Sequence, residues 1–289
     1  MQKSNPKKEI FKKQAQSLPG LESKMEPHPE FDNGSQGNNK LAGRKCIITG
    51  GDSGIGRAVA VAFAKEGADI AIIFLPVEKE DADFTIKYIQ GNYKQKCIPV
   101  AADISKESNC RKAVDKILGS FDTIDILVNN AAVQFPEDDI TKISSAHLLE
   151  TFSVNILAMF WLTQAILPHM KKGGSIINTT SVTAYRGSAG LMDYSSTKGA
   201  IVSFTRSLSS SLVEKGIRVN GVAPGPIWTP LIPASFSPGR VQKFGTDVPM
   251  KRPGQPSEVS PAYVFLASDD SSYITGQIIH VNGGEIING

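Results

Sequence analysis

A single doubly wound α/β domain, with a parallel sheet of about seven strands flanked by helices and an extended polar arm in front of it, is the fold class that the sequence predicts. Three observations lead there. From Gly43 onward, short Val/Ile-rich runs alternate repeatedly with longer amphipathic ones, so the hydrophobic period switches between strand and helix. The short runs are near-continuously apolar, as strands buried on both faces of a parallel sheet must be. A glycine-rich turn, TGGDSGIG over 49–56, stands between the first strand and the first helix. At 289 residues the chain is long enough for a large core, and no internal linker divides it.

Taken in order, residues 1–40 are polar, carry several Pro and Gly, and show no periodicity. They read as an extended arm, solvated in preference to the alternative that LPGLESKMEPHPEF (18–31) packs along the main domain or a neighbouring subunit, and the five lysines among the first thirteen residues read as a solvated charge run. The main domain spans 41–289. Its strands are expected at KCIIT (45–49), DIAIIF (69–74), CIPVA (97–101), IDILVNN (124–130), GSIINTTS (174–181), IRVNGVA (217–223) and GQIIHVNGG (276–284). Helices are expected over 56–68, 78–90, 109–121, 150–172, 194–216 and 257–268, where apolar residues recur on one face.

Composition narrows the function. Thirty-one Lys and Arg against 28 Asp and Glu give a formal charge of +3, too little to imply nucleic acid or an acidic partner, so the ligand is expected to be a small molecule. The basic N-terminus has no apolar stretch behind it, and nowhere do eighteen apolar residues run together; a cytoplasmic protein with no membrane segment is expected. Cys46, Cys97 and Cys110 are odd in number and widely spaced, which argues against a disulfide framework. His28, His147, His169 and His280 lack ligand spacing, and no metal site is expected.

Two constellations carry chemistry. The GDSG inside the glycine turn resembles the surroundings of a nucleophilic serine, but a Ser53 hydrolase needs a histidine and a carboxylate, and the only histidine ahead of it, His28, lies in the arm. The alternative suits the context. Gly50, Gly54 and Gly56 between a buried strand and a helix let backbone approach a pyrophosphate, which the free N–H groups and dipole of the helix start attract. Further on, Tyr194 and Lys198 are four apart at the start of a helix and share one face; an ammonium beside a phenol lowers its pKa toward the range of a general acid or base. Ser181 ends a strand, where parallel sheets place their ligands, and Asn155 is a polar amide among apolar helical neighbours.

Gly50, Gly54 and Gly56, Asp103 in AADIS, NNAA from Asn129, Asn155, Ser181, Tyr194, Lys198 and PGPIWT from Pro224 occur in the order that characterises classical short-chain dehydrogenases/reductases, which the chain resembles from about Gly43 to Gly284. GGDSGIGRA, FLPVEKED, APGPIWTP and MKRPGQP resemble a bacterial subgroup that includes general-stress oxidoreductases. The resemblance implies a Rossmann domain and an oxidoreductase that moves a hydride between NAD(P)(H) and a carbonyl or alcohol. Tyr194 is implied as general acid/base, Ser181 as the group holding the substrate oxygen, Lys198 as a ribose ligand, and Asn155 as support for a proton-supplying water chain. Cofactor contacts are implied for Gly50, Asp52, Ser53, Gly54, Ile55, Gly56, Asp103, Ile104, Asn130, Tyr194, Lys198, Pro224, Gly225, Ile227 and Thr229. Ala132, where the family usually has glycine, adds a methyl at that strand end.

Phe74 and Leu75 at the end of the second strand offer neither an acid for a ribose 2′-hydroxyl nor a base for a 2′-phosphate. The missing repulsion leans toward NADP over NAD, and Arg57 is placed to reach either the phosphate or solvent. A substrate lid is expected at about 225–255, chiefly 233–250, with 133–139 opposite and with Phe135, Phe236, Phe244 and Trp228 lining an apolar pocket. The resemblance further implies a homotetramer, with the long helices around Asn155 and Tyr194 at one two-fold interface and the C-terminal segment at another. A non-catalytic dinucleotide-binding redox sensor on the same fold is the competing reading.

Overall fold

The computed structural model describes residues 9–285. Seven parallel strands, β1 (Lys45–Thr49), β2 (Asp69–Phe74), β3 (Cys97–Ala101), β4 (Ile124–Asn129), β5 (Met170–Thr179), β6 (Arg218–Pro224) and β7 (Ile278–Val281), form one sheet in the order β3-β2-β1-β4-β5-β6-β7. The chain crosses from β3 back past β1 to β4, so the strand order reverses between β1 and β4. That reversal opens a crevice at the carboxyl ends of these strands, the ligand position of doubly wound folds.

Alternation along each strand feeds two cores. Ile48 in β1 and Ile70 and Ile72 in β2 pack with Val59 and Phe63 of α1 (Gly54–Lys65) and with Val259, Tyr263 and Leu266 of the last helix. Ile47, Ala71 and Ile73 face the other way. They pack with Val114 and Ile117 of α3 (Glu107–Leu118) and with Leu162 and Ile166 of α5 (Ala158–Ile166). The remaining helices are α2 (Lys79–Asn92), α4 (Ser145–Phe152), α6 (Thr183–Arg186), α7 (Met192–Leu212), α8 (Leu231–Ser235), α9 (Pro238–Gln242) and α10 (Pro256–Ala267). The segment expected as the lid contains two short helices, α8 and α9.

The stretch Ser145–His169 is long and apolar enough to cross a bilayer by length and composition. Its buried side chains Ile156 and Met159 pack against Ile201 and Phe204 of α7, the setting of a core helix. A π-helical turn, Ser153–Leu157, interrupts it at Asn155; such turns re-aim side chains at functional positions.

The arm differs from the expectation. Rather than trailing into solvent, residues 9–40 are strapped across the domain. Phe11 stacks on Trp228 with ring centroids 3.8 Å apart, and the Trp228 indole N–H donates to Pro27 O at 2.9 Å. Asp32 accepts from the Lys65 ammonium at 2.5 Å and from the Tyr88 hydroxyl at 2.9 Å. Met25 is buried with Trp228 and Ile232. Anchors this far apart in a polar segment leave no period to detect, and each relies on a partner distant in the chain. Of the five lysines read as a charge run, Lys3, Lys7 and Lys8 lie outside the described residues, as do the last four residues of the C-terminal segment assigned to an interface.

Candidate active site

The crevice opens into a cleft of about 730 Å³ that runs from the glycine turn to the lid. Gly50 and Gly54 adopt φ of 64° and 52°, backbone that a side chain with a Cβ rarely tolerates, and the turn delivers the chain into α1. Ser53 stands at the N-cap without a side-chain capping bond; the Gly54 N–H is taken by Glu22, and the other donors of the first turn are those a helix start offers a bound anion. Gly56 is packed closely, since an added Cβ there would run into Gly50 O and the Asn130 amide. This close-packed glycine cradle, open to the cleft and at the positive end of a helix, fits the pyrophosphate of a dinucleotide.

Of the residues expected to hold a cofactor, Gly50, Asp52, Ser53, Gly54, Ile55, Asp103, Ile104, Asn130, Tyr194, Lys198, Pro224, Gly225, Ile227 and Thr229 all line the cleft, and so does Ala132. Asn130 also ties β4 to the turn, its backbone N–H donating to Thr49 Oγ1 at 2.8 Å and its amide to Thr49 O at 3.1 Å.

Ser181, Tyr194 and Lys198 meet on one wall. Ser181 follows β5, and its Oγ accepts from the Thr183 N–H at 3.2 Å and the Thr183 hydroxyl at 3.1 Å. With both acceptor positions used, its own proton is left to donate. The Tyr194 hydroxyl is hydrogen-bonded to Ser181. Lys198 is buried and donates to Thr179 O at 2.9 Å.

Here one expectation is corrected. Burial pushes the Tyr194 phenol up to about 12, with the Ser181 bond acting weakly against it, and burial pulls Lys198 down to about 7. The ammonium does not depress the phenol in this geometry, because Nζ sits 5.3 Å from the ring centroid, over the ring, and is turned to a carbonyl. A phenol held at that value is a protonated donor at neutral pH.

Asn155 does not line the cleft. It stands behind the wall that carries Ser181, Tyr194 and Lys198, where its amide oxygen accepts from Val133 N at 2.9 Å and its NH₂ donates to Val133 O at 2.9 Å and Thr197 Oγ1 at 3.2 Å. It therefore clamps the loop after β4 to α7, three residues beyond Tyr194. The apolar lining is also corrected. Phe236 and Phe244 face the cleft, whereas Trp228 is fully buried against Phe11 and Phe135 stacks on His147 at 4.2 Å.

Arg57 reaches neither phosphate nor solvent. It is 3% exposed, with Nη1 2.5 Å from Glu22 Oε1 and Nη2 3.4 Å from Asp81 Oδ1, and Nε bonds Thr85 Oγ1 and Asp52 O at 2.9 Å each. Nor is the end of β2 free of carboxylates, since Glu78 lines the cleft and accepts from Leu75 N at 3.1 Å. Burial, with Asp52 and Asp81 nearby, raises Glu78 well above the usual carboxylate range. A protonated Glu78 donates a hydrogen bond and offers a 2′-phosphate no charge repulsion.

These raised carboxyls set a pH dependence. Burial lifts Glu22 to about 7 against the pull of Arg57. A carboxyl whose folded pKa lies above its unfolded value contributes stability below the unfolded pKa and loses it as pH rises through the folded one. The thermal midpoint of the wild type is expected to fall between pH 5 and pH 7, and Glu22→Gln to flatten that fall; parallel unfolding curves for the two proteins across the interval check it. Above pH 7 the depressed Lys198 works in the opposite direction.

Sequence patterns give no sign of Leu18, Pro19 and Gly20, which form part of the cleft wall, or of Glu22. Only the tertiary fold brings these arm residues to the site.

Comparison with known proteins places this geometry. A family model described as enoyl-(acyl carrier protein) reductase matches residues 50–285. The uncharacterised oxidoreductase YhxC of Bacillus subtilis (strain 168) is 58% identical over 287 residues, 99% of this chain and 100% of that protein. The chloroplastic NADPH-dependent aldehyde reductase 1 of Arabidopsis thaliana is 50% identical over 283 residues, 96% of this chain and 98% of that one. Among solved structures, a short-chain dehydrogenase from Burkholderia cenocepacia J2315 in complex with NADP superposes with a TM-score of 0.79 at 29% identity, covering 85% of this chain and 98% of its own.

Proposed function

The chain belongs to the short-chain dehydrogenase/reductase family and is an NAD(P)-dependent oxidoreductase, and we propose that it reduces the carbonyl of small aldehydes, ketones or sugars, or oxidises the matching alcohols, with Tyr194 as general acid/base. The observation that carries this reading is the Tyr194 hydroxyl bonded to Ser181 in the same cleft as the glycine turn.

The dinucleotide, when bound, supplies or takes the hydride; the chain supplies position and electrostatics. Ser181, its acceptor positions filled by Thr183, turns its one proton from the Tyr194 hydroxyl to the substrate oxygen once that oxygen enters between them, and orients it against the phenol. Tyr194 gives its proton to that oxygen as negative charge develops there, and in the oxidative direction takes a proton back. Lys198, anchored by Thr179 O, holds the ribose side of the cleft. Asn155 acts through Val133 and Thr197 by keeping the two walls in register. Phe236 and Phe244 on the lid, about 225–255, face the cleft and present apolar surface to the rest of the substrate. NADP is the favoured dinucleotide, supported by the Arabidopsis and Burkholderia proteins and by the neutral form of Glu78.

The non-catalytic sensor is the less favoured reading, because binding alone has no use for a phenol and a hydroxyl arranged around one oxygen position. A homotetramer is supported by the apolar side chains Leu148, Leu149, Leu157 and Phe160, exposed on α4 and the helix that continues it. A cytoplasmic location is supported by three buried free cysteines, which suit a reducing compartment.

Purified protein is expected to oxidise NADPH faster than NADH over a panel of aldehydes, ketones and sugars, followed by loss of dinucleotide absorbance. Tight dinucleotide binding with no turnover on any class would favour the sensor instead.

A further inference from the structure

The arm touches the cleft at a place that the hydride-transfer chemistry does not use. Leu18, Pro19 and Gly20 form part of its wall and are held from two sides. Toward the lid, Gln16 N donates to Pro233 O at 2.8 Å, and Gly20 lies so close to α8 that an added Cβ would run into Pro230 O. Toward the glycine turn, Glu22 is 2% exposed. Its Oε2 accepts from the Gly54 N–H at 2.6 Å while Oε1 pairs with Arg57 at 2.5 Å. Lid and turn themselves meet here, since an added Cβ at Gly54 would lie 3.1 Å from Thr229 Cβ.

A carboxylate next to a pyrophosphate cradle is costly unless its charge is matched and its lone pairs are used. Glu22 has both, through Arg57 and Gly54, and its own backbone N–H is held by Asp81 Oδ2 at 2.6 Å. The bond to Gly54 fixes a residue at φ 52° at the entrance to α1, the point from which the helix-start donors are aimed. Such fixing lowers the ordering cost of binding.

We propose that the arm is a built-in roof over the phosphate-binding stretch of the cleft, and that Glu22 is a positioning residue whose bonds to Gly54 and Arg57 set the glycine turn for the dinucleotide. The proposal rests on the dinucleotide reading given above.

Two variants test it by different routes. Glu22→Gln keeps the size of the side chain but removes the charge that faces Arg57, and Gly20→Ala lifts the roof from Pro230 without touching the ion pair. NADPH affinity is titrated by fluorescence in the absence of substrate, and KM for NADPH and kcat are measured separately on folded protein. Each variant is expected to weaken NADPH binding by about tenfold, with KM for NADPH following and kcat at saturating NADPH changing far less. A merely structural arm would lower the unfolding midpoint and leave the affinity of the folded protein unchanged. Unchanged affinity in either folded variant overturns the proposal, since the roof needs both the pin and the close approach. A wild type that binds neither NADPH nor NADH would instead remove the dinucleotide reading, and this proposal with it.

Discussion

Tyr194→Phe is expected to lower kcat for carbonyl reduction by about 10²–10⁴-fold, the range that a positioned general acid supplies, while NADPH affinity stays within about twofold. The substitution removes one oxygen and keeps the ring that packs beside Leu191, Trp228 and Ile232, so the cleft retains its shape. What is lost is the donor to the developing alkoxide. Ser181 cannot take over both tasks: its single proton orients the substrate oxygen, and its acceptor positions already belong to Thr183. Burial holds the phenol at about 12, so the wild type presents a protonated donor across the neutral range. Ionisation of Tyr194 should therefore impose no pH dependence on reduction from pH 6 to pH 8, so that any change there reports Lys198, which burial pulls down to about 7, whereas alcohol oxidation, which needs the phenolate, should rise with pH over the same interval. Single-turnover kinetics with NADPH on the wild type and the variant measure the chemical step directly. A variant retaining a tenth or more of wild-type turnover would mean that another group or a water delivers the proton.

Much of this site is legible in the sequence, for a definite reason. Tyr194 and Lys198 are related by helical spacing, and the glycines of 50–56 by a single turn between strand and helix, so sequence distance stands in for spatial distance. All seven strands are legible too, because a strand such as DIAIIF buried on both faces leaves an unbroken apolar run. Features that depend on partners far along the chain are not legible. Glu22 finds Arg57 thirty-five positions away, and Trp228 meets Phe11 across most of the chain; neither arm residue sits in a periodic pattern. Aromatic residues around a lid carry no sign of facing, which is why Trp228 and Phe135 are misplaced while Phe236 and Phe244 are not. The pairing of Tyr194 with Lys198 shows a subtler limit. Spacing places the two groups on one face, but burial, which spacing does not report, decides in which direction each pKa moves.

Arg57→Leu is expected to destabilise the fold by about 3–5 kcal/mol, the usual cost of removing one partner from a buried ion pair. The guanidinium is the only cation pairing with Glu22 and Asp81 among the described residues. It also bonds Thr85 Oγ1 and Asp52 O and lies over the Phe84 ring at 4.7 Å. Leucine restores part of the packing and none of the charge. For a domain of this size the loss corresponds to a fall in thermal midpoint of roughly 10 °C. The pH dependence separates charge from packing. Burial already outweighs Arg57 in setting Glu22 at about 7, and without the cation its pKa moves higher still. At pH 4, below the 4.5 at which an ordinary glutamate titrates, Glu22 is mainly protonated in folded and unfolded chains alike, so its share of the charge deficit is small and the share of Asp81 is left. As pH rises toward 8 the unfolded chain has released that proton and the folded variant must either keep it or bury a naked carboxylate, so the deficit grows. Thermal unfolding of wild type and variant at pH 4 and pH 8 measures the difference. A pH-independent deficit would reduce Arg57 to a packing residue. No deficit, combined with a selective loss of NADPH over NADH binding, would show instead that Arg57 serves the 2′-phosphate, as its position beside the glycine turn first suggests.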